Sequence, residues 1–311
     1  MEGKVLKTKE VYLKTMKFVW LKLALGGAVL LFALITLFPF VWLGSLGSGS
    51  GIVIALTIWF VLVGCVYGCL QRYVGYMIKA GHVAMVTTAV TTGSLPEDLL
   101  GSAKSMVSER FLTANVYFAV DRLVSGAVSQ LQKGLQKIDD LLGKIPGVSF
   151  LVSFAQMFVH IALNYVDECC LGYTFLHKDQ SAFKSAADGV VIYFQNWKKL
   201  LKDAAVMTLA VMVVSFLAWL LPFIIFSSIF ALLGIHWMFA ALLSIMVAVI
   251  LKSAFVDSFL MVRMMVSYME VAPSTEITFD LYAKLCKLSD KFKSLFDKGQ
   301  QEQQQYGNAQ V

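Results

Sequence analysis

Two long apolar stretches of the chain, Leu23 to Gln71 and Ala204 to Leu251, contain no Asp, Glu, Lys or Arg. Each is too long for one membrane crossing, which takes about 20 residues, and is long enough for two. A glycine-serine segment at 44–51 divides the first stretch, and residues 234–237 mark a turn in the second. Because unpaired backbone amides are not tolerated in lipid, the four arms must be helices. The pattern therefore predicts two transmembrane hairpins.

Outside the two hairpins, apolar residues recur at spacings of three and four, which is the period of an amphipathic helix. One such run consists of Tyr117, Val120, Val124, Val128, Leu131, Leu135, Ile138 and Leu142. A second run, built on Phe183, Ala187, Val190, Phe194, Trp197 and Leu201, leads into the second apolar stretch. We expect both helices to lie on the cytoplasmic side or at the membrane interface.

Residues 148–175 combine high hydropathy with one continuous polar stripe. Its members are Ser149, Ser153, Gln156, His160, Asn164 and Asp167, which follow one another at spacings of three or four. A helix of this kind either lies in the interface with its stripe towards water, or crosses the membrane with the stripe facing an internal path. Basic segments flank the second hairpin on both sides, and a single crossing here would move the basic C-terminal segment outside. The positive-inside tendency therefore favours an interfacial or re-entrant helix over a fifth crossing.

These patterns predict an all-α, polytopic membrane bundle of about four transmembrane helices with cytoplasmic or interfacial amphipathic helices. Seven segments follow along the chain. They are a basic cytoplasmic N-terminal segment (1–22), the first hairpin (23–71), cytoplasmic amphipathic helices (72–146), an interfacial or re-entrant helix plus an amphipathic helix (147–203), the second hairpin (204–262), a basic cytoplasmic helix (263–298) and a disordered glutamine-rich tail (299–311).

The composition agrees with a membrane protein. The chain is 58% hydrophobic and only 15% charged, with a mean hydropathy of +0.73, whereas soluble domains carry about 25% charged residues. Its net charge of +6 lies in blocks beside the apolar stretches, which indicates contact with phospholipid and argues against nucleic-acid binding. The basic blocks place both termini in the cytoplasm, and we expect the plasma membrane to be the location. The five cysteines form no spaced framework and are interpreted as reduced thiols, with lipidation of Cys169 or Cys170 as the alternative.

Candidate chemistry is sparse. The chain has no motif typical of an enzyme, of a metal site or of a cofactor site, so we expect no enzymatic activity and no cofactor. Lys252 and Asp257 stand out because they interrupt the closing helix of the second hairpin, eleven residues and six residues before Arg263. The rise of about 16 Å between Lys252 and Arg263 would place Lys252 near mid-membrane, and charges at that depth usually face the bundle interior. On an α-helix five positions separate side chains by about 140°, so partners from elsewhere are expected.

Two further patterns concern the packing of the hairpins. Gly64 and Gly68 form a small-residue motif that would let a neighbouring helix approach closely, either within the chain or in another copy. The hairpins also align with each other around Pro39 and Pro222, each followed by phenylalanine, and each proline is expected to kink an ascending helix. The alignment is consistent with an internal repeat.

A set of short motifs runs through the C-terminal half. They are Lys184-Ser-Ala-Ala-Asp-Gly189, Asn196-Trp-Lys-Lys199, Phe255-Val-Asp-Ser258 and Tyr268-Met-Glu270. From about Asn164 to Glu270 the chain thereby resembles the choline transporter-like family, whose members have more crossings and a large extracellular loop. The resemblance implies a transporter-like membrane bundle, and of the candidate residues it covers Asp257 and its neighbours.

Two functional hypotheses are open at this stage. The first is a transporter-like protein for a small polar or cationic solute, with Lys252, Asp257, Gln156, His160, Asn164 and Asp167 along the solute or ion path. Four crossings are few for a path, so this hypothesis requires a homo-oligomer. The alternative is a non-transporting membrane-organising protein that binds lipid or partner proteins through its amphipathic helices.

Overall fold

The computed structural model describes residues 7–47, 50–111, 114–142, 159–232 and 237–309, and the regular elements in these ranges are helices. The α-helices are α1 (Thr8–Lys14), α2 (Met16–Ser45), α3 (Gly51–Leu70), α4 (Tyr76–Thr92), α5 (Leu99–Phe111), α6 (Ala114–Leu142), α7 (Val166–Leu176), α8 (Ala182–Gln195), α9 (Trp197–Leu232), α10 (Trp237–Leu251), α11 (Asp257–Val271), α12 (Phe279–Leu288) and α13 (Asp290–Ala309). Two π-helical segments, π1 (Gln71–Gly75) and π2 (Lys252–Val256), join α3 to α4 and α10 to α11. The all-α prediction is confirmed for the described residues.

Four helical stretches are long and apolar enough to cross a membrane, which indicates an integral membrane protein. They are Met16–Ser45, Gly51–Thr92, Trp197–Leu232 and Ala240–Ser274. Pro39 and Pro222 lie inside the first and third of these. The residues predicted to form the second turn, 233–236, lie outside the described part of the chain.

Contacts divide the chain into two units. The first, which we call the polar unit, comprises Met1–Thr15, Ala80–Ala210 and Phe259–Val311. The second, the apolar unit, comprises Met16–Lys79 and Val211–Ser258.

In the apolar unit, α2 and α3 pack along each other around a small hydrophobic core. Val29, Ala33, Trp59 and Val63 form this core. The Trp59 indole N–H donates to Thr36 Oγ1 at 3.1 Å, which satisfies the polar edge of a ring that is otherwise buried. Near the turn the two backbones come very close, because a Cβ on Gly44 would stand 2.8 Å from Ile52 Cα. Glycine is required there by the close approach of the two helices.

The polar unit has a close-packed interior built on α4, α7, α8 and α11. Gly189 of α8 lies against the backbone of Cys170 in α7, where an added Cβ would stand 3.1 Å from Cys170 Cα. The Tyr268 hydroxyl of α11 donates to the Gly189 carbonyl at 3.1 Å, and the Tyr193 hydroxyl of α8 donates to the Ala162 carbonyl at 2.6 Å. These buried bonds fix the helices against each other, because an unmade bond at a buried donor would destabilise the fold.

Asp188 is the polar centre of this unit. Its carboxylate is 3% exposed and accepts hydrogen bonds from Lys184, Gln180 and the Tyr282 hydroxyl. A buried carboxylate is tolerated when its charge and lone pairs are satisfied in this way. Burial and the Asp188 charge raise the pKa of Tyr282 well above the usual value, so the phenol stays protonated and donates.

Arg110 joins α5 to the connection between α7 and α8. Its guanidinium donates to the carbonyls of His177 and Gln180, both at 3.0 Å, and to Ser185 Oγ at 2.8 Å. The rigid fork of arginine suits this set of acceptors, which one lysine amine could not reach together.

The prediction of a disordered tail over 299–311 is not what the structure shows, since α13 continues to Ala309. Glutamine has a good helix propensity, and the helix packs on the polar unit. A Cβ on Gly299 would stand 2.9 Å from Lys184 Cα, and the Ser181 amide donates to Gln303 Oε1 at 3.2 Å. Only Gln310 and Val311 of this segment lie outside the described residues.

The segment predicted as one interfacial or re-entrant helix differs from that prediction as well. Of its residues, 148–158 lie outside the described part, 159–163 are helical, and a turn at Asn164–Tyr165 precedes α7. The turn ends the continuous stripe, because helical spacing does not pass through it. Val166, Cys169 and Leu171 are fully buried, so α7 is an interior helix of the polar unit.

Candidate functional site

Lys252 and Asp257 form an ion pair with each other, with Lys252 Nζ 2.6 Å from Asp257 Oδ1. The expectation of partners elsewhere assumed α-helical geometry, in which positions i and i+5 point in different directions. Residues Lys252–Val256 are π-helical instead, and the wider π turn, with its i to i+5 hydrogen bonds, brings these two side chains together. Both side chains remain partly accessible, at 46% and 36%.

Contacts with α2 show where this pair lies relative to the apolar stretch of that helix. Ile250, two residues before Lys252, packs on Gly26, and Lys22 Nζ donates to Ser258 Oγ at 2.8 Å. Trp20 and Phe255 meet edge to face at 5.9 Å between ring centroids. Lys22 is the last charged residue before the apolar stretch of α2, so Lys252 lies near the end of the apolar region. This differs from the depth expected from the distance to Arg263, because Arg263 belongs to the polar unit and pairs there with Asp203 at 2.8 Å.

The other π segment, π1, comes close to the same stretch of α2 at Gly75. A Cβ on Gly75 of π1 would stand 3.6 Å from Leu25 Cδ2, and Gly75 is buried. Arg72 lies in this π segment with an exposed side chain, and it makes no ion pair or hydrogen bond with any residue that the structure describes. We call Lys22, Arg72, Lys252 and Asp257 the charged belt.

Two basic residues of the charged belt occupy similar places at the ends of the two apolar stretches that align with each other. Each aligned proline lies in an ascending helix, and the helix that returns after it contains a π segment with one basic residue, Arg72 or Lys252. A π segment arises where one extra residue is accommodated in a helix, and such segments are frequent at functional sites. The sequence contained no signal for them.

Gly64 and Gly68, predicted to mediate helix packing, are exposed on α3, and a Cβ on either would meet nothing within 4 Å. Within the described residues, the close helix approaches of the apolar unit are made instead at Gly26 and Gly44. The core of the α2 and α3 pair lies on the side of Trp59 and Val63, and this leaves the glycine motif facing outward.

Two members of the polar stripe line a cavity in the polar unit. The cavity has a volume of about 140 Å³ and is lined by Ser125, Val128, Ser129, Gln132, Leu163, Asn164 and Asp167. Ser125 Oγ donates to Asp167 Oδ2 at 3.4 Å. The hydroxyl, amide and carboxylate groups that line this cavity can exchange hydrogen bonds with water or a small polar molecule. The cavity is large enough for such a molecule, since an apolar cavity of about 150 Å³ holds a benzene. His160 is exposed and does not line this cavity, and Gln156 lies outside the described residues.

Cys169 and Cys170 are fully buried in α7, so they are not available for lipidation in the folded protein. Burial raises the pKa of both thiols, and the neighbouring carboxylates of Asp167 and Glu168 raise them further. Neutral, inaccessible thiols are poor nucleophiles. Cys170 fills space against Gly189.

Among the described residues, no group of three or more His, Cys, Asp or Glu side chains is arranged to hold a metal ion. No family model matches this chain, and no curated protein and no solved structure matches it.

Proposed function

We propose that this protein is a non-transporting membrane-organising protein. In this proposal the four apolar helices hold the chain in the bilayer, and the polar unit is the part that binds partners. The basic segments at both ends support a cytoplasmic location for the termini and the plasma membrane as the location.

The low burial of the apolar helices is the observation that carries the proposal. In the most apolar window of each span, the buried share is 17% for Met16–Ser45, 11% for Gly51–Thr92, 0% for Trp197–Leu232 and 33% for Ala240–Ser274. Helices that enclose a solute path bury one face against their neighbours, and polar groups line that face. No described residue in the apolar window of α9 is fully buried, and a broad side of the helix, which includes Val213, Phe216, Leu221 and Ile225, is exposed to lipid or to another copy of the chain.

The position of the charges supports the same proposal. A transport role for Lys252 and Asp257 required two charges deep in the membrane, held for interaction with a solute. The two charges neutralise each other beside Lys22, near the end of the apolar stretch, where an ion pair is tolerated at much lower free energy than at mid-membrane. Transport of a small polar or cationic solute through an oligomer remains the competing prediction.

An uptake assay in liposomes tests the proposal. Purified protein is reconstituted, and uptake of radiolabelled choline and ethanolamine is compared with that of protein-free liposomes, while the particle mass is measured in nanodiscs. We expect no protein-dependent uptake of either solute. Saturable uptake that Lys252→Met lowers, from protein of unchanged particle mass, would contradict the proposal and establish the transporter.

A further inference from the structure

The charged residues of the apolar unit are nearly all basic. Within its described residues, the basic side chains are Lys17, Lys22, Arg72, Lys79 and Lys252, and the acidic one is Asp257. Neither Arg72 nor Lys17 has an ionic or hydrogen-bonding partner in the described part of the chain. The unit therefore has an excess of positive charge that a ligand of opposite charge could balance.

The two π segments gather part of this charge around one short stretch of α2. Gly75 of π1 lies close to Leu25, and Phe255 of π2 contacts Trp20, while Ile250 before π2 packs on Gly26. Arg72 and Lys252 thus come from segments that pack on residues 20–26, where Lys22 supplies a third positive charge. The three charges are far apart in the sequence, and the fold brings their segments to the same part of α2.

The N–H donors of Lys252 and Arg72 that the described residues do not use are suited to binding phosphate oxygens. Lys252 uses one of its three N–H donors on Asp257, and the five N–H donors of Arg72 are unused by the described residues. A guanidinium binds two phosphate oxygens in parallel, and an ammonium binds as a point charge. A phosphodiester, which carries a net negative charge, offers oxygens to both kinds of donor.

The surroundings indicate that the phosphate belongs to a lipid. The belt lies where the apolar stretches of α2 and α3 end, at the level at which phospholipid headgroups begin. Trp20 is 56% exposed beside it, and exposed tryptophan is typical of the membrane interface. On the apolar side, Leu31 and Ile35 of α2 are 61% and 72% exposed, which provides a surface for acyl chains.

We propose that residues 20–26 of α2, flanked by the two π segments, form a binding site for the phosphate headgroup of an anionic phospholipid, contacted by Arg72 and Lys252. Asp257 limits the affinity, because its carboxylate neutralises Lys252 and repels the headgroup. The site goes beyond the proposed function, since a bound lipid is compatible with a transporter as well as with an organiser.

Binding of short-chain phosphatidylglycerol to the full chain in neutral detergent tests the proposal, with native mass spectrometry as the readout. A basic residue near an anionic surface contributes about fivefold in affinity, so Arg72→Gln and Lys252→Gln should each weaken binding about fivefold. Asp257→Asn should strengthen it by a similar factor. Lys104→Gln, which removes an exposed charge from α5 in the polar unit, is the matched control and should change nothing.

Two further ligands identify the source of the phosphate. Phosphatidylcholine of the same chain length, whose headgroup has no net charge, and glycerol phosphate, which lacks chains, should both bind at least about tenfold more weakly. Equal loss of phosphatidylglycerol binding in Arg72→Gln and Lys104→Gln would overturn the site, and so would weaker binding by Asp257→Asn. Glycerol phosphate binding as tightly as the lipid would overturn the lipid assignment. None of these results depends on whether the liposomes of the uptake assay accumulate a solute.

Discussion

Lys252 and Asp257 are five positions apart on one continuous helical stretch, and their side chains form an ion pair because the intervening residues are π-helical. The pair is partly accessible, and each charge already has its partner on the same helix. Partly exposed ion pairs contribute less than about 1 kcal/mol to stability. The pair is therefore a local contact within one helix, and the stability of the bundle does not depend strongly on it.

This predicts a small effect of removing either charge. Lys252→Met and Asp257→Asn should each change the free energy of unfolding by less than about 1 kcal/mol, which corresponds to a melting-temperature shift of roughly 2–4 °C or less. Thermal unfolding in detergent measures this. A shift several times larger in both single variants, reversed in the double variant, would show that the pair is buried in the membrane-bound protein.

Glycine substitutions in the apolar unit should distinguish a closely packed glycine from glycines that face open space. Gly44→Ala should destabilise the protein by about 1–3 kcal/mol, because the new methyl group would overlap the Ile52 backbone. Gly64→Ala combined with Gly68→Ala should stabilise it by about 0.5–1 kcal/mol per site, because alanine favours the helix and the space is open.

Thermal unfolding and the particle mass of these variants provide the check. If the double variant at 64 and 68 is destabilised and its particle mass falls, the motif packs against a second copy of the chain. Unchanged stability of Gly44→Ala would contradict the close approach of α2 and α3.

Asp188 should be among the most sensitive positions of the polar unit. Asp188→Ala leaves the partly buried Lys184 and the buried Tyr282 without their acceptor, and breaking a buried charged network costs about 3–5 kcal/mol. Tyr282→Phe removes one hydrogen bond to a charged group and should cost about 1.5–3 kcal/mol. Chemical denaturation measures the free energy of unfolding of both variants. Asp280→Ala, on the first turn of α12, is the exposed control.

The same tyrosine predicts a loss of stability at alkaline pH. Its pKa is raised from 10.0 in the folded protein, so its contribution is fully present below pH 10. Above pH 10 the unfolded chain ionises this phenol while the folded chain does not, and stability falls as pH rises. Unfolding measured from pH 8 to pH 11 should show a shallower decline for Tyr282→Phe than for the parent. An identical decline would mean that Tyr282 is not the group responsible.

Particular residues show what the sequence could and could not predict. The absence of charge between Leu23 and Gln71 and between Ala204 and Leu251 was sufficient to predict helical membrane spans, because lipid allows few other structures. The π segments could not be foreseen, since hydropathy and helical spacing assume 3.6 residues per turn. For that reason the pairing of Lys252 with Asp257 was missed, whereas the level of Lys252 beside Lys22 was missed because Arg263 belongs to the polar unit.

The remaining differences arise from tertiary contacts. Gly64 and Gly68 have the spacing of a packing motif, yet Gly44 makes the close contact, because the turn and the core around Trp59 decide which side of α3 faces α2. The helical course of 299–309 depends on Gly299 and Gln303 meeting residues 181–184, a contact with no local signal in the sequence. In the sequence, Asp188 was noted only as a member of the short motif at 184–189.

The central claim is that the apolar helices face lipid and enclose no solute path, and α9 tests it most directly. Nitroxide labels are placed singly along residues 212–229 of the protein in liposomes, and their accessibility to oxygen and to a water-soluble nickel reagent is measured by electron paramagnetic resonance. The account predicts low nickel accessibility at every position and high oxygen accessibility at the exposed positions, with lower oxygen accessibility at half-buried positions such as 215, 219 and 223. A stripe of positions, three or four apart, with high nickel and low oxygen accessibility would show a water-filled path along α9 and would contradict it.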